Sequence, residues 1–94
     1  MDGKNKVFNQ LLDVSQDYLG PAAERFLNRQ IEAHVHKDPQ TIERSDIANL
    51  SDWIKLSFAL LTKDTAIVEE YITRLSLIAQ GKAKEALGEQ WQQN

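Results

Sequence analysis

Two histidines, His34 and His36, are the side chains of this sequence best suited to bind a metal ion or to exchange a proton near neutral pH. They lie two positions apart, and helix residues at that spacing point about 200° away from each other. On a helix they therefore cannot bind one metal ion together. The sequence contains no cysteine, which excludes thiol nucleophiles, disulfides and cysteine-type zinc sites. We expect no metal site and no cofactor.

Enzyme active-site motifs are also missing from the sequence. It contains no nucleophile with a matching base, no glycine-rich phosphate loop and no zinc-protease helix motif. Carboxylates such as Glu69 and Glu70 belong to a generic solvent-facing surface. We predict that the chain is not an enzyme.

The segment His34-Val35-His36-Lys37 resembles part of the His-x-x-Lys-Gly pattern of histidine-phosphotransfer domains, which are four-helix bundles of similar length. The resemblance would imply a phosphorylated histidine in the middle of an exposed helix. Here Asp38 replaces the glycine, and Pro39 follows at once, so the segment falls at a helix end. His34 also lies on the apolar side of its helix. These departures disfavour a phosphotransfer function.

Gln30 and His34 are one turn apart on the otherwise apolar side of a predicted helix. The favoured interpretation is that His34 is a core histidine, hydrogen-bonded to Gln30. The alternative is that both side chains are the polar groups of an apolar ligand pocket between helices, or that His34 senses pH. His36 is expected to be solvated.

The overall charge excludes other classes of function. Eleven Lys and Arg residues against fourteen Asp and Glu residues give a net charge of −3, which argues against nucleic-acid binding. No apolar run approaches the roughly 20 residues of a membrane span, so we expect no membrane association. No apolar segment follows the first residues as in a signal peptide, and we expect a cytoplasmic protein.

The spacing of apolar residues predicts the elements that must position these side chains. The 94 residues are expected to form a single helical domain over 1–94. Turn and capping residues occur at Gly20-Pro21, Asp38-Pro39, Asp64 and Gly81. Between them the pattern predicts helices over 6–19, 21–37, 46–62 and 65–80, and a marginal helix over 82–91. The predicted fold is all-α, with a four-helix bundle-like core and a short C-terminal fifth helix.

The helix predicted over 46–62 is apolar on two sides. One apolar stripe is expected to face the core and consists of Ile47, Leu50, Ile54, Phe58 and Leu61. Trp53, Leu56 and Leu60 form a second stripe roughly opposite the first. Either the C-terminal segment with Trp91 covers this second stripe, or the stripe binds a partner, since aromatic and aliphatic anchors are typical of interface centres.

The segment Tyr18-Leu19-Gly20-Pro21-Ala22-Ala23, which opens a helix, resembles the start of small helical modules at the C-termini of bacterial, cyanobacterial-type signalling proteins. The resemblance implies a non-catalytic association or regulatory module that accompanies signalling domains. It covers one short motif, and no accompanying domain lies within these 94 residues, so the chain is either a piece of a longer protein or a free-standing relative of such modules.

These observations together predict a helical protein–protein interaction module. We expect it to form a homodimer, or to bind another protein, through Trp53, Leu56, Leu60 and Trp91. A signal- or ligand-sensing bundle with a pocket near Gln30 and His34 is the alternative. The identity of the partner and pathway does not follow from the sequence.

Overall fold

The computed structural model describes residues 6–88, and over that range the chain forms five α-helices and no β-strand. The helices are α1 (Lys6–Leu19), α2 (Ala23–His34), α3 (Ile47–Ala59), α4 (Thr65–Ala79) and α5 (Ala83–Leu87). Short 3-10 turns lie at Gly20–Ala22, Pro39–Thr41 and Arg44–Asp46. The prediction of an all-α fold with four helices and a short fifth helix is confirmed.

Helix α2 is shorter at both ends than the predicted 21–37. Pro21 belongs to the 3-10 turn that joins α1 to α2, so the α-helix begins at Ala23. At the other end His36 adopts a φ of 59°, in the left-handed region, and its N–H donates to the Ile31 carbonyl. This left-handed residue closes the helix before Asp38-Pro39 is reached.

Helix α3 is also shorter than the predicted 46–62, whereas α4 lies within one residue of the predicted 65–80. Asp46 lies in the preceding 3-10 turn, where its carboxylate accepts the Glu43 N–H at 2.9 Å. Helix α3 ends at Ala59, and α4 is capped by Asp64, whose Oδ1 accepts the N–H groups of Ala66 and Ile67. Such a cap satisfies donors that no helical carbonyl can reach.

The marginal helix predicted over 82–91 is only the five-residue α5 in the described part of the chain. It ends at Leu87 because Gly88 turns the backbone away with a φ of 80°. Residues 89–91 of the predicted helix lie outside the described residues. Helix α5 packs on α4 and α1 and buries Ala86 and Leu87 there.

The four long helices form a ring around one apolar core. In chain order, each helix makes its main contacts with the helices before and after it, and α4 closes the ring against α1. Side chains that are fully buried come from all four helices, among them Leu11, Leu27, Ile31, Leu50, Ile54, Leu75 and Ile78. This ring fixes which side of each helix faces solvent.

A hydrogen-bonded tyrosine joins α1 to α4 inside the core. Tyr71 is fully buried, and its hydroxyl lies 2.6 Å from the equally buried Ser15 Oγ. Burial raises the pKa of Tyr71 to about 12, because a phenolate would lose its hydration in the core. Tyr18 stacks on Tyr71 with ring centroids 4.7 Å apart, and Arg74 lies over the Tyr18 ring. The two hydroxyls satisfy each other where water cannot reach them.

We expect Ser15→Ala and Tyr71→Phe each to lower the free energy of unfolding by about 1–2 kcal/mol, because each leaves one buried hydroxyl unpaired. The double variant should cost less than the sum of the two single variants, because no unpaired group remains. Urea unfolding of the four proteins measures this coupling. Thr73→Ala, at an exposed position of α4, is the control. If the double variant loses as much free energy of unfolding as the two single variants together, the hydrogen bond between the two hydroxyls contributes nothing to stability.

Candidate functional site

The most unusual surface of the described chain is the outer side of α3. Trp53, Leu56 and Leu60 lie there with exposed fractions of 39%, 61% and 86%, and we refer to these three residues as the α3 outer face. Their spacing of three and four positions places them along one side of the helix. The opposite side of α3 carries the buried Leu50, Ile54 and Phe58.

The ring of helices explains why this face has no cover within residues 6–88. Helix α3 is flanked by α2 on one side, where Gln30 bonds Ser57, and by α4 on the other, where Lys55 pairs with Glu69. Helix α5 makes its main contacts with α4 and α1 instead. The expectation that the C-terminal segment covers the second stripe is therefore not met by its described part. Trp91, the fourth predicted interface residue, lies outside the described residues.

Trp53 is held in place by a histidine of the neighbouring helix. The rings of His34 and Trp53 are stacked, with centroids 4.0 Å apart and an angle of 3° between the planes. Asn49 Nδ2, one turn before Trp53, donates to the His34 carbonyl at 3.3 Å. The Trp53 ring is thus fixed on the surface by packing on one face while part of it stays in contact with solvent.

Gln30 and His34 do not form the hydrogen bond expected from the sequence. His34 is half-buried and stacks on Trp53, and Gln30 Nε2 donates to Ser57 Oγ at 3.0 Å. Gln30 Oε1 is buried and accepts no hydrogen bond in the described part of the chain. Both side chains thus lie along the α2–α3 contact, and each has a partner on α3.

Two further apolar side chains are exposed near the turn between α3 and α4. Leu61 was expected on the buried stripe, but it is 65% exposed. Leu60, the C-cap of α3, still has helical backbone angles, whereas Leu61 lies beyond the cap and is no longer directed to the core. Ile67, in the first turn of α4, is 37% exposed. Sequence periodicity missed the exposure of Leu61 because it carries no signal for where α3 ends, and it did not indicate that Ile67 is exposed in the first turn of α4.

Other kinds of site were sought in residues 6–88. Within that range no group of three or more His, Asp or Glu side chains is placed to hold a metal ion. None of the helices there combines the length and apolar character needed to cross a membrane. Surface hollows occur beside α2, between α3 and α4, and at the end of α4, and neither Gln30 nor His34 lines them.

Comparison of the chain with protein-family models, with curated proteins and with solved structures gave no match. The assignment of a function to this surface therefore depends on its geometry.

We expect His34→Ala to lower the free energy of unfolding by about 0.5–1.5 kcal/mol, because it removes the ring stacked on Trp53. In a Trp91→Phe background, where Trp53 is the remaining tryptophan, its fluorescence maximum should also shift to longer wavelength. Glu32→Ala, on the exposed side of the same helix, is the control for fluorescence and stability. An unchanged spectrum in His34→Ala would contradict the stacked arrangement.

Proposed function

We propose that the protein is a non-enzymatic helical interaction module that self-associates through the α3 outer face. The observation that carries the proposal is the exposure of three apolar side chains, Trp53, Leu56 and Leu60, along one helix side. Apolar side chains that are clustered on the surface of a monomer favour association and aggregation, so such a cluster is typical of a surface that binds a partner. A partner that covers the face removes that surface from water.

The spacing of the α3 outer face suits pairing with a second copy of the same helix. Apolar residues separated by alternating steps of three and four form the seam of a helix pair. In an antiparallel pair centred on Leu56, that side chain packs on its symmetry mate, and Trp53 lies opposite Leu60 of the partner. Asn49, four residues before Trp53, is exposed and ends the apolar part of the seam.

The area of the surface is compatible with a small dimer. Large apolar residues expose on the order of 200 Å² each when free, so the exposed fractions of the α3 outer face correspond to roughly 370 Å², and Leu61 and Ile67 near the turn between α3 and α4 expose roughly 200 Å² more. A stable interface buries about 800 Å² on each partner. The remainder would come from polar residues at the rim, as is usual in interfaces.

The stacked Trp53 ring supports the same proposal. Tryptophan is enriched among the residues that contribute most to binding, and such residues lie near the centre of an interface. Because His34 already fixes the ring, association loses less side-chain entropy than it would with a free indole. Trp53 is thus a preorganised anchor.

The cellular setting belongs to the proposal as well. The resemblance over Tyr18–Ala23 supports a bacterial, signalling-associated module acting in the cytoplasm. In this chain Gly20–Ala22 forms the 3-10 turn between α1 and α2, away from the α3 outer face. The turn therefore serves to connect two helices, and we assign the association to the α3 outer face instead.

We expect the wild-type chain to have about twice its 10.7 kDa monomer mass in light scattering after size-exclusion chromatography. Leu56→Glu combined with Leu60→Glu should return it to the monomer mass, because two charges would be buried in the seam. Helical circular dichroism should stay nearly unchanged, since both side chains are exposed.

Ala48→Glu is the matched control, because Ala48 is exposed on the same helix but lies at the hollow between α3 and α4, about 80° around the helix from Leu56 and about 120° from Leu60. It adds the same type of charge near the start of α3, where a carboxylate is favourable. A wild-type chain that stays monomeric at all concentrations would refute self-association. Loss of helicity in the double variant would instead assign both leucines to the core.

The unpaired Gln30 Oε1 favours a second candidate function, a ligand-sensing bundle with a polar group between α2 and α3. A small ligand with a hydrogen-bond donor would satisfy this oxygen and raise the midpoint of thermal unfolding. Screening pooled metabolites by thermal shift, with Gln30→Leu as the comparison, tests it. The same shifts in both proteins, or none in the wild type, would exclude this function.

A further inference from the structure

A hollow of about 520 Å³ lies at the end of α4, where the start of α1 and the start of α5 meet the 3-10 turn before α3. Three cationic side chains line it, Lys6, Arg44 and Lys84. Its apolar lining includes Val7 and Ile78, and Gln10 adds an amide. The volume falls within the range of pockets that bind small molecules.

The charge of the hollow is opposite to that of the chain as a whole. The sequence carries a net charge of −3, yet no described carboxylate lines this hollow. None of its three cations forms an ion pair with a described residue, whereas Arg74 elsewhere pairs with Asp17 at 2.9 Å. All three residues are exposed, so their positive charges face the solvent at the hollow and favour the entry of an anion.

The nearest acidic neighbour of Arg44 in the sequence has another role. The Glu43 carboxylate accepts the Asp46 N–H in a capping box, and the Asp46 carboxylate in turn accepts the Glu43 N–H and pairs with Lys37. Both carboxylates are thus occupied by the turn before α3. Arg44 projects from the same turn and forms no ion pair with a described carboxylate.

The Arg44 guanidinium lies close to Gly81. A Cβ atom at residue 81 would lie 2.5 Å from one terminal nitrogen of the Arg44 guanidinium. The carbonyls of Ser76, Leu77 and Ile78 at the end of α4 accept backbone N–H groups from residues 80–82, and the guanidinium donates to none of the described residues. A guanidinium in this position is suited to a phosphate, which it can bind in bidentate fashion.

We propose that this hollow binds a soluble small molecule that carries a diphosphate group. Arg44 and Lys84 bind the phosphates, Lys6 adds a third positive charge, and Val7 with Ile78 contacts the organic part of the ligand. The site is separate from the α3 outer face, so this inference goes beyond the proposed function.

Isothermal titration calorimetry of the full chain at low salt tests the proposal with inorganic pyrophosphate and with a nucleoside diphosphate. Both should bind saturably, and the nucleotide should bind more tightly because of the apolar contacts. Arg44→Gln should weaken binding about tenfold or more, since it removes a charge-assisted pair. Affinity should fall as salt is raised.

Lys63→Gln is the matched control, because it removes one positive charge from the exposed turn between α3 and α4. It should leave binding unchanged, and Lys84→Gln gives a second variant if Arg44→Gln unfolds by circular dichroism. Equal weakening by the control, or no saturable binding at millimolar ligand, would overturn the site. Equal affinity for the two probes would overturn the role of the apolar lining. If the chain binds vesicles that carry a phosphorylated inositol lipid more tightly than it binds either soluble probe, the ligand is a lipid headgroup and the proposal of a soluble ligand is wrong.

Discussion

A ring of four helices covers each helix towards the centre and on two sides, and it leaves the outer side of each to solvent. Three of the long helices meet this constraint with mainly polar outer sides, whereas α3 presents Trp53, Leu56 and Leu60. Helix α3 is apolar on two sides, and only one of them can face the core of the ring. The other side therefore forms an apolar patch on the molecular surface. Within residues 6–88 the fold contains no element left to cover it.

On the side of the ring away from the α3 outer face, polar contacts connect the helices. Tyr71 joins α4 to Ser15 of α1, and Arg74 extends the contact by pairing with Asp17 and donating from Nε to the Ala86 carbonyl. These contacts hold α1, α4 and α5 together. Helix α5 thus stabilises the closure between the first and last long helices, and this position draws it away from α3.

Helical period and capping residues were enough to predict the all-α fold and the second stripe of α3. They could not predict that α2 ends at His34. That end depends on the left-handed backbone conformation of His36, a conformation that a sequence usually indicates by a glycine, and this position has none. The stack of His34 on Trp53 depends on the packing of two helices, which a single helical wheel does not contain. The cationic hollow was equally hidden, since Lys6, Arg44 and Lys84 come together only in the folded chain.

The contact between Arg44 and Gly81 links the hollow to two positions that are far apart in the sequence. Gly81 has a φ of 82°, a conformation that asparagine tolerates better than other side chains with a Cβ atom. In this chain a Cβ atom at residue 81 would require the Arg44 guanidinium, the far end of an exposed and flexible side chain, to move. The cost of such a replacement would therefore come mainly from the backbone conformation of residue 81, and its effect on the hollow would come from the displaced arginine.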